Sequence, residues 1–125
     1  MLFSHRSIAI ETAEEIGNKT KNITVVYDMV FTSEHNIMPV DCIVISGNTI
    51  CGYTSNPKTD VLFTAQHIKK ILQNNSFVDV SVKIFDNYTA FVSRAEGMQN
   101  IAVVEKRDTK QKEEKIANVI LNISL

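Results

Sequence analysis

The sequence has few of the residues from which nucleotide, disulfide and membrane sites are built. Only four of its 125 residues are glycine, and their spacing fits neither a GxxxxGK[ST] nor a GxGxxG phosphate-binding loop. Its two cysteines form no CxxC pair, which argues against a disulfide scaffold. Residues 1–6 lack the apolar core of a secretory signal, and no apolar run approaches the roughly 18 residues of a membrane span. We therefore expect a protein of the cytoplasm or nucleus.

The charges are balanced, which argues against partners that depend on a strong electrostatic field. Thirteen basic and fourteen acidic residues give a net charge of −1, so nothing in the overall charge attracts nucleic acid or anionic lipid. Apolar residues make up 44% of the chain and charged residues 22%, as in a typical globular protein. We expect a single domain over residues 1–125, with an N-terminal segment in residues 1–22 and the core in residues 23–125. No cofactor is indicated.

Alternation of apolar and polar residues predicts six strands. They are expected at residues 23–32, 40–46, 49–54, 77–85, 88–95 and 100–106. The first strand is expected to carry one apolar face along its length, and Gly97 is expected to lie in a turn between the last two strands. Apolar residues at helical spacing predict a first helix near residues 7–20, a central helix over 60–74 and a last helix over 109–123. In the central helix, Leu62 and Ile71 are expected to widen the buried stripe. The expected fold is α+β: a six-stranded antiparallel sheet with packed helices, in the order (α)-β-β-β-α-β-β-β-α.

The second and third strands form the clearest hairpin in the sequence. Gly47 and Asn48 suit a two-residue turn with glycine first. This turn would pair Cys42 with Tyr53 and would place Cys42 and Cys51 diagonally on one face. Diagonal neighbours lie about 7–8 Å apart, which is too far for a disulfide. Two reduced, buried thiols are therefore expected.

Three groups of residues are candidates for chemistry. A small cysteine enzyme is a minor alternative, with Cys51 (paired with His67) or Cys42 as its nucleophile, but no basic cluster surrounds Cys51 in the sequence. His35 with the two cysteines lacks the short paired spacings of structural zinc sites. The glutamate pairs at 14–15 and 113–114 are expected to be solvated, as is the mixed-charge run over residues 106–115. No catalytic residue and no metal site are predicted.

The strand predicted over residues 77–85 has no assigned second neighbour. It lies either inside the sheet or at an edge that contacts another subunit, and the sequence leaves both open. The expected interface residues lie on this strand and on the polar face of the preceding helix. They are Gln66, Lys69, Lys70, Gln73, Phe77, Asp79, Ser81 and Lys83.

Short apolar strings over residues 23–123 resemble the proteasome assembly chaperone 3 family. The best local match is the strand ending Ala90-Phe91-Val92-Ser93, and residues 101–106 before the closing helix are also similar. The resemblance implies a non-catalytic chaperone without a cofactor. It would form a homodimer, or a heterodimer with a related chaperone, and hold α-type proteasome subunits during α-ring assembly.

Two other functions are kept as alternatives. The order of elements also resembles the roadblock (dynein-light-chain-like) family, although the strand over residues 23–32 is an insertion relative to it. That resemblance implies an adaptor that docks small GTPases or their regulators. A nucleic-acid-binding domain would use an open sheet face together with residues 106–115.

Overall fold

Four helices and four strands make up the part of the chain that the computed structural model describes, residues 9–33, 36–106 and 108–124. In chain order they are α1 (Ile10–Lys19), β1 (Thr24–Ser33), β2 (Asn36–Ser46), β3 (Thr49–Tyr53), α2 (Val61–Asn74), β4 (Ser81–Phe85), α3 (Tyr88–Glu105) and α4 (Lys110–Ile123). The strands form one sheet in the order β1-β2-β3-β4. The first two pairings are antiparallel, whereas β3 and β4 are parallel.

The prediction of a six-stranded antiparallel sheet is wrong. The residues predicted as the fifth and sixth strands, 88–95 and 100–106, lie almost entirely within the single helix α3. The sheet is mixed because α2 carries the chain from β3 back to the start of β4, and such a crossover produces a parallel pair. The strand predicted over residues 77–85 is also shorter than expected and begins at Ser81.

The helix α3 forms because its buried residues recur at helical spacing. Asn87 caps the first turn by accepting a hydrogen bond from the backbone N–H of Ala90 at 2.9 Å. Four of its five buried positions are separated by four, three and four residues; they are Phe91, Ala95, Met98 and Ala102. The β-branched and aromatic residues of this segment predict strands from the sequence alone, and Gly97 predicts a turn between them. Burial against the sheet overrides that local preference.

The sheet lies between two helical layers, each with its own hydrophobic cluster. On one face, α2 and α4 contribute Ile68, Leu72, Ile116 and Ile120, which pack against strand residues that include Ile43 and Ile45. On the other face, α1 and α3 contribute Ile16, Phe91, Ala95 and Met98, which pack against Cys42, Val44 and Cys51. Both faces of the sheet are therefore covered by helices.

The strand β1 changes faces at Asp28. Val25 and Tyr27 pack towards α1 and α3, whereas Met29 and Phe31 pack towards α2 and α4. Asp28 has a φ of 56°, in the left-handed region, and interrupts the regular alternation. The prediction that β1 carries one continuous apolar face is therefore wrong.

The predicted hairpin is confirmed. Gly47 has a φ of 58°, as a turn with glycine first requires, and Cys42 pairs with Tyr53 as expected. Both cysteines are free and buried, and both lie on the α1 and α3 face of the sheet. The sequence pattern over residues 40–54 therefore predicted turn, register and thiol state together.

The three predicted helices are confirmed, with two differences in their faces. Asp60 caps α2 by accepting a hydrogen bond from the N–H of Phe63 at 3.0 Å. Leu62, which was expected to widen the buried stripe of α2, is 74% exposed. Glu113, which was expected to be solvated at the start of α4, is only 3% exposed.

Polar contacts attach α1 and the segment after it to α3. The Tyr88 hydroxyl donates a short hydrogen bond to the Glu15 carboxylate, and Asn22 and Gln99 exchange two hydrogen bonds. Burial and this contact with Glu15 raise the pKa of Tyr88. The predicted N-terminal segment is thus packed against the core from residue 10 onwards, and its first eight residues lie outside the described chain.

Candidate functional site

The strand β4 forms one edge of the sheet. The Ser81 N–H donates to the carbonyl of Asn48 at 2.8 Å, and the carbonyl of Phe85 accepts from the Thr54 N–H at 2.9 Å. Because backbone groups alternate in direction along a strand, those of Val82 and Ile84 point away from β3. Among the described residues, no hydrogen bond to these outward groups is formed. We call this side of β4 the free edge.

The opposite edge of the sheet, β1, is closed in two ways. The left-handed conformation of Asp28 distorts the middle of β1, at the one position where its pairing with β2 is interrupted, and this distortion disfavours pairing with a further strand. The Ser124 side chain also forms hydrogen bonds with both outward backbone groups of Val30. Its Oγ accepts from the Val30 N–H at 2.9 Å and donates to the Val30 carbonyl at 3.3 Å. The two edges therefore differ in their ability to accept a partner strand.

A small cleft of about 220 Å³ lies beside β4. Its lining consists of Thr49, Ile50, Cys51, Ser81, Val82, Lys83 and Arg94. Because Cys51 and Lys83 are directly paired across β3 and β4, both side chains lie on the α3 side of the sheet. The Arg94 guanidinium reaches the same place from α3. We call this the cationic cleft.

The cationic cleft contains two positive charges without an acidic partner. Within residues 9–33, 36–106 and 108–124, neither Lys83 nor Arg94 has a carboxylate oxygen within 4.0 Å. The Lys83 ammonium lies 4.9 Å from the centroid of the Phe85 ring, in a cation–π contact that keeps it at the strand. An anionic group brought to the free edge would meet both cations.

The Cys51 thiol lies at the floor of this cleft and stays protonated at neutral pH. Burial raises the pKa of Cys51, and the nearby charges of Arg94 and Lys83 offset only part of that effect. The sequence next to Cys51 holds no basic cluster, and the two cations reach the thiol from α3 and β4. Burial is still the largest effect, so these charges do not bring the pKa of the thiol below its ordinary value.

The structure separates the residues of the candidate catalytic pair. Cys51 packs under α3, whereas His67 belongs to α2 on the other face of the sheet, where it stacks on Phe63 at 6.4 Å. Burial, together with the charge of Lys70, lowers the pKa of His67. His35 lies outside the described residues, and in those described no three side chains of metal-binding type come together.

The predicted interface residues lie on two sides of the sheet. Gln66, Lys69, Lys70 and Gln73 are exposed on α2. Phe77 is half-buried in an open cleft against the start of α4, and Asp79 is exposed in the loop before β4. Ser81 and Lys83 are exposed on the free edge, facing the α3 layer. Only these last two belong to the cationic cleft.

The sequence analysis missed Arg94 because it placed that residue in a strand. The available signal was the spacing of Phe91, Ala95, Met98 and Ala102 after a capping Asn87. That spacing predicts a helix whose buried side faces the sheet, with Arg94 next to a buried position. The partner cation, Lys83, was among the predicted interface residues.

The mixed-charge run over residues 106–115 begins at the C-cap of α3 and continues into α4. Lys112 and Lys115 line the open cleft next to Phe77, together with Asp108. Arg107 lies outside the described residues. No described helix is long and apolar enough to cross a bilayer.

Comparison with protein-family models, with curated proteins and with solved structures finds no match to this chain. Its function is therefore argued from the free edge and the cationic cleft.

Proposed function

We propose that this chain is a non-catalytic protein-binding subunit that accepts a strand of its partner along the free edge of β4. The outward backbone groups of Val82 and Ile84 carry the proposal, because they offer two donors and two acceptors in register. The closed edge at β1 leaves β4 as the edge suited to pairing. Main-chain hydrogen bonds would supply affinity, and the side chains beside them would select the partner.

The partner classes implied by the resemblances remain narrower proposals. One is an α-type proteasome subunit, or a related chaperone that forms a heterodimer with this chain. The other is a small GTPase or its regulator. Both resemblances depended on strands over residues 88–106, which form α3 and its C-cap, so the free edge supports the proposed function better than the element order does.

The nucleic-acid alternative loses the surface on which it depended. It required an open sheet face, and helices pack on both faces of this sheet. The mixed-charge run at the start of α4 contains lysines interleaved with acidic residues. A strand-binding edge therefore accounts for more of the structure.

Site-specific crosslinking tests the proposal. A photoreactive residue is placed at Ser81, which is exposed on the free edge, and in a matched chain at Glu114, which is exposed on α4. Each chain is mixed with purified α-type proteasome subunits or with small GTPases. We expect a crosslinked partner from position 81 and none from position 114. Equal crosslinking from both positions would contradict a partner site at β4.

Amide hydrogen exchange, measured on this chain alone and in complex with the partner found by crosslinking, tests whether the partner pairs with the free edge. In the free chain, the N–H groups of Val82 and Ile84 should exchange faster than that of Lys83, which points towards β3. In the complex, we expect the Val82 and Ile84 groups to become at least about tenfold slower, because they gain hydrogen bonds. Protection confined to α2 would move the interface to the other face and overturn the proposal.

A further inference from the structure

The charges around β4 indicate which strand it accepts. In antiparallel pairing with an added strand, the outward groups of Val82 and Ile84 would make the hydrogen bonds. Lys83 would then occupy a non-hydrogen-bonded position, where opposing Cα atoms are only about 4.5 Å apart and side chains are close. The residue opposite Lys83 would therefore lie beside the cationic cleft, within reach of Arg94.

Pairing of β4 with a second copy of itself is electrostatically unfavourable. One antiparallel register pairs all five residues of the strand, and it places Lys83 directly opposite the Lys83 of the other copy. Like charges at such a position are destabilising, and each Arg94 adds a further positive charge nearby. Self-association through the free edge is thus disfavoured.

We infer that the free edge selects an extended segment of a different protein that carries an aspartate or glutamate opposite Lys83. Such a carboxylate would approach both the Lys83 ammonium and the Arg94 guanidinium, neither of which has an acidic partner within the described chain. The hydroxyls of Thr49 and Ser81 line the same cleft and provide additional donors. This inference rests on the proposed function and specifies the chemistry of its partner.

The chain itself can supply the probe strand. The variant Lys83→Glu carries a carboxylate at the centre of its own β4. When this strand pairs in antiparallel fashion with β4 of a wild-type chain, the carboxylate lies opposite the wild-type Lys83. Isotope-labelled wild-type protein is titrated with unlabelled Lys83→Glu, and the amide signals of Val82 and Ile84 are followed by NMR. The matched control is Lys69→Glu, which makes the same charge change on α2, across the sheet.

We expect Lys83→Glu to bind the labelled wild-type chain about tenfold more tightly than the unlabelled wild type does, since one repulsive pair becomes attractive. Lys69→Glu should show no gain. The gain should be lost at about 1 M salt, where the screening length is about 3 Å. Arg94→Gln on the labelled chain should reduce the gain several-fold.

The possible outcomes separate the inference from the function on which it rests. Equal affinity for wild type and Lys83→Glu, with shifts at Val82 and Ile84, would leave the strand-binding function standing and overturn the acidic preference. The same gain from Lys69→Glu would also overturn it, because net charge would then explain the effect. No shift at Val82 and Ile84 with Lys83→Glu would also overturn the acidic preference, whereas the proposed function itself is decided by the crosslinking from position 81.

Discussion

The carboxylate of Glu113 accepts a hydrogen bond from the backbone N–H of Gly47, with 3.0 Å between Oε2 and N. The same carboxylate accepts hydrogen bonds from the hydroxyls of Thr24 and Thr109. One buried side chain therefore joins the β2–β3 turn, the start of β1 and the start of α4. Because β3 continues from this turn and pairs with β4, the contact helps to hold the sheet that carries the free edge.

Replacing Glu113 should destabilise the protein far more than replacing its neighbour. Glu113→Ala leaves the Gly47 N–H and two hydroxyls without their acceptor in a buried site, so we expect a loss of about 3–5 kcal/mol in the free energy of unfolding. The control Glu114→Ala removes an exposed carboxylate and should change stability by less than about 0.5 kcal/mol. Urea unfolding measures both, and similar losses would contradict the buried role of Glu113.

Two glycine substitutions should have opposite effects on stability. An added Cβ at Gly52 would lie 2.7 Å from Cδ1 of Ile84 and 3.3 Å from the carbonyl oxygen of Cys42. We expect Gly52→Ala to cost about 1–3 kcal/mol through overpacking. At Gly97 nothing lies within 4 Å of the added Cβ, so Gly97→Ala should stabilise α3 by about 0.5–1 kcal/mol. Thermal unfolding compares the two, and destabilisation by Gly97→Ala would favour the turn predicted from sequence.

The cap of α3 provides a separate check that residues 88–105 are helical. Asn87→Ala removes the acceptor for the Ala90 N–H and should cost about 1 kcal/mol. Asn100→Ala, at an exposed position inside the helix, should instead gain about 0.5 kcal/mol, since alanine is the better helix former. Denaturant midpoints measure both changes. A neutral effect at both positions would contradict the helix.

The buried thiols should make the protein less stable above pH 9. Burial raises the pKa of Cys42, with Asp41 and Asp28 adding to the effect, and burial also raises the pKa of Cys51. Above the ordinary thiol pKa of 9.0 the unfolded chain loses these protons while the native chain keeps them. The stabilising effect is therefore complete below pH 9 and is lost as pH rises.

The slope of stability against pH should reveal these thiols. Each can contribute up to about 1.4 kcal/mol per pH unit, and the interval from pH 9 to 10 lies below the ordinary tyrosine pKa of 10.0. Cys42→Val should reduce the slope measured there by unfolding in urea. Alkylation by iodoacetamide should be slow at both native thiols near pH 8.5, whereas rapid reaction at Cys51 would support the cysteine enzyme that is the alternative from sequence.

Local patterns predicted the elements whose signals lie within a few residues. The turn at Gly47 and Asn48 follows from the backbone freedom of glycine, and the start of α2 follows from the capping carboxylate of Asp60. The sequence also predicted polar side chains along β4, because Ser81 and Lys83 alternate with apolar residues. These features require no information about distant parts of the chain.

Local patterns gave wrong predictions in two situations: where one segment carried both strand and helix signals, and where contacts with residues far away in the sequence determined the structure. The segment over residues 88–106 contains both β-branched residues and helical spacing, and packing of Phe91 and Met98 on the sheet selects the helix. The position of Arg94 in the cationic cleft follows from that helix, so it was missed as well. Glu113 looks solvated beside Glu114, and only its distant donors, Thr24 and Gly47, show that it is buried.

The sequence by itself determined the hairpin, three of the four helices and the lack of a nucleotide loop, since each depends on residues close together in the chain. The tertiary structure decided that the sheet has four strands in its described part, that β1 is closed, and that Lys83 and Arg94 meet above Cys51. Those features depend on contacts between residues far apart in sequence. Burial and pairing energies across such contacts are large enough to override the local preferences that a sequence pattern reports.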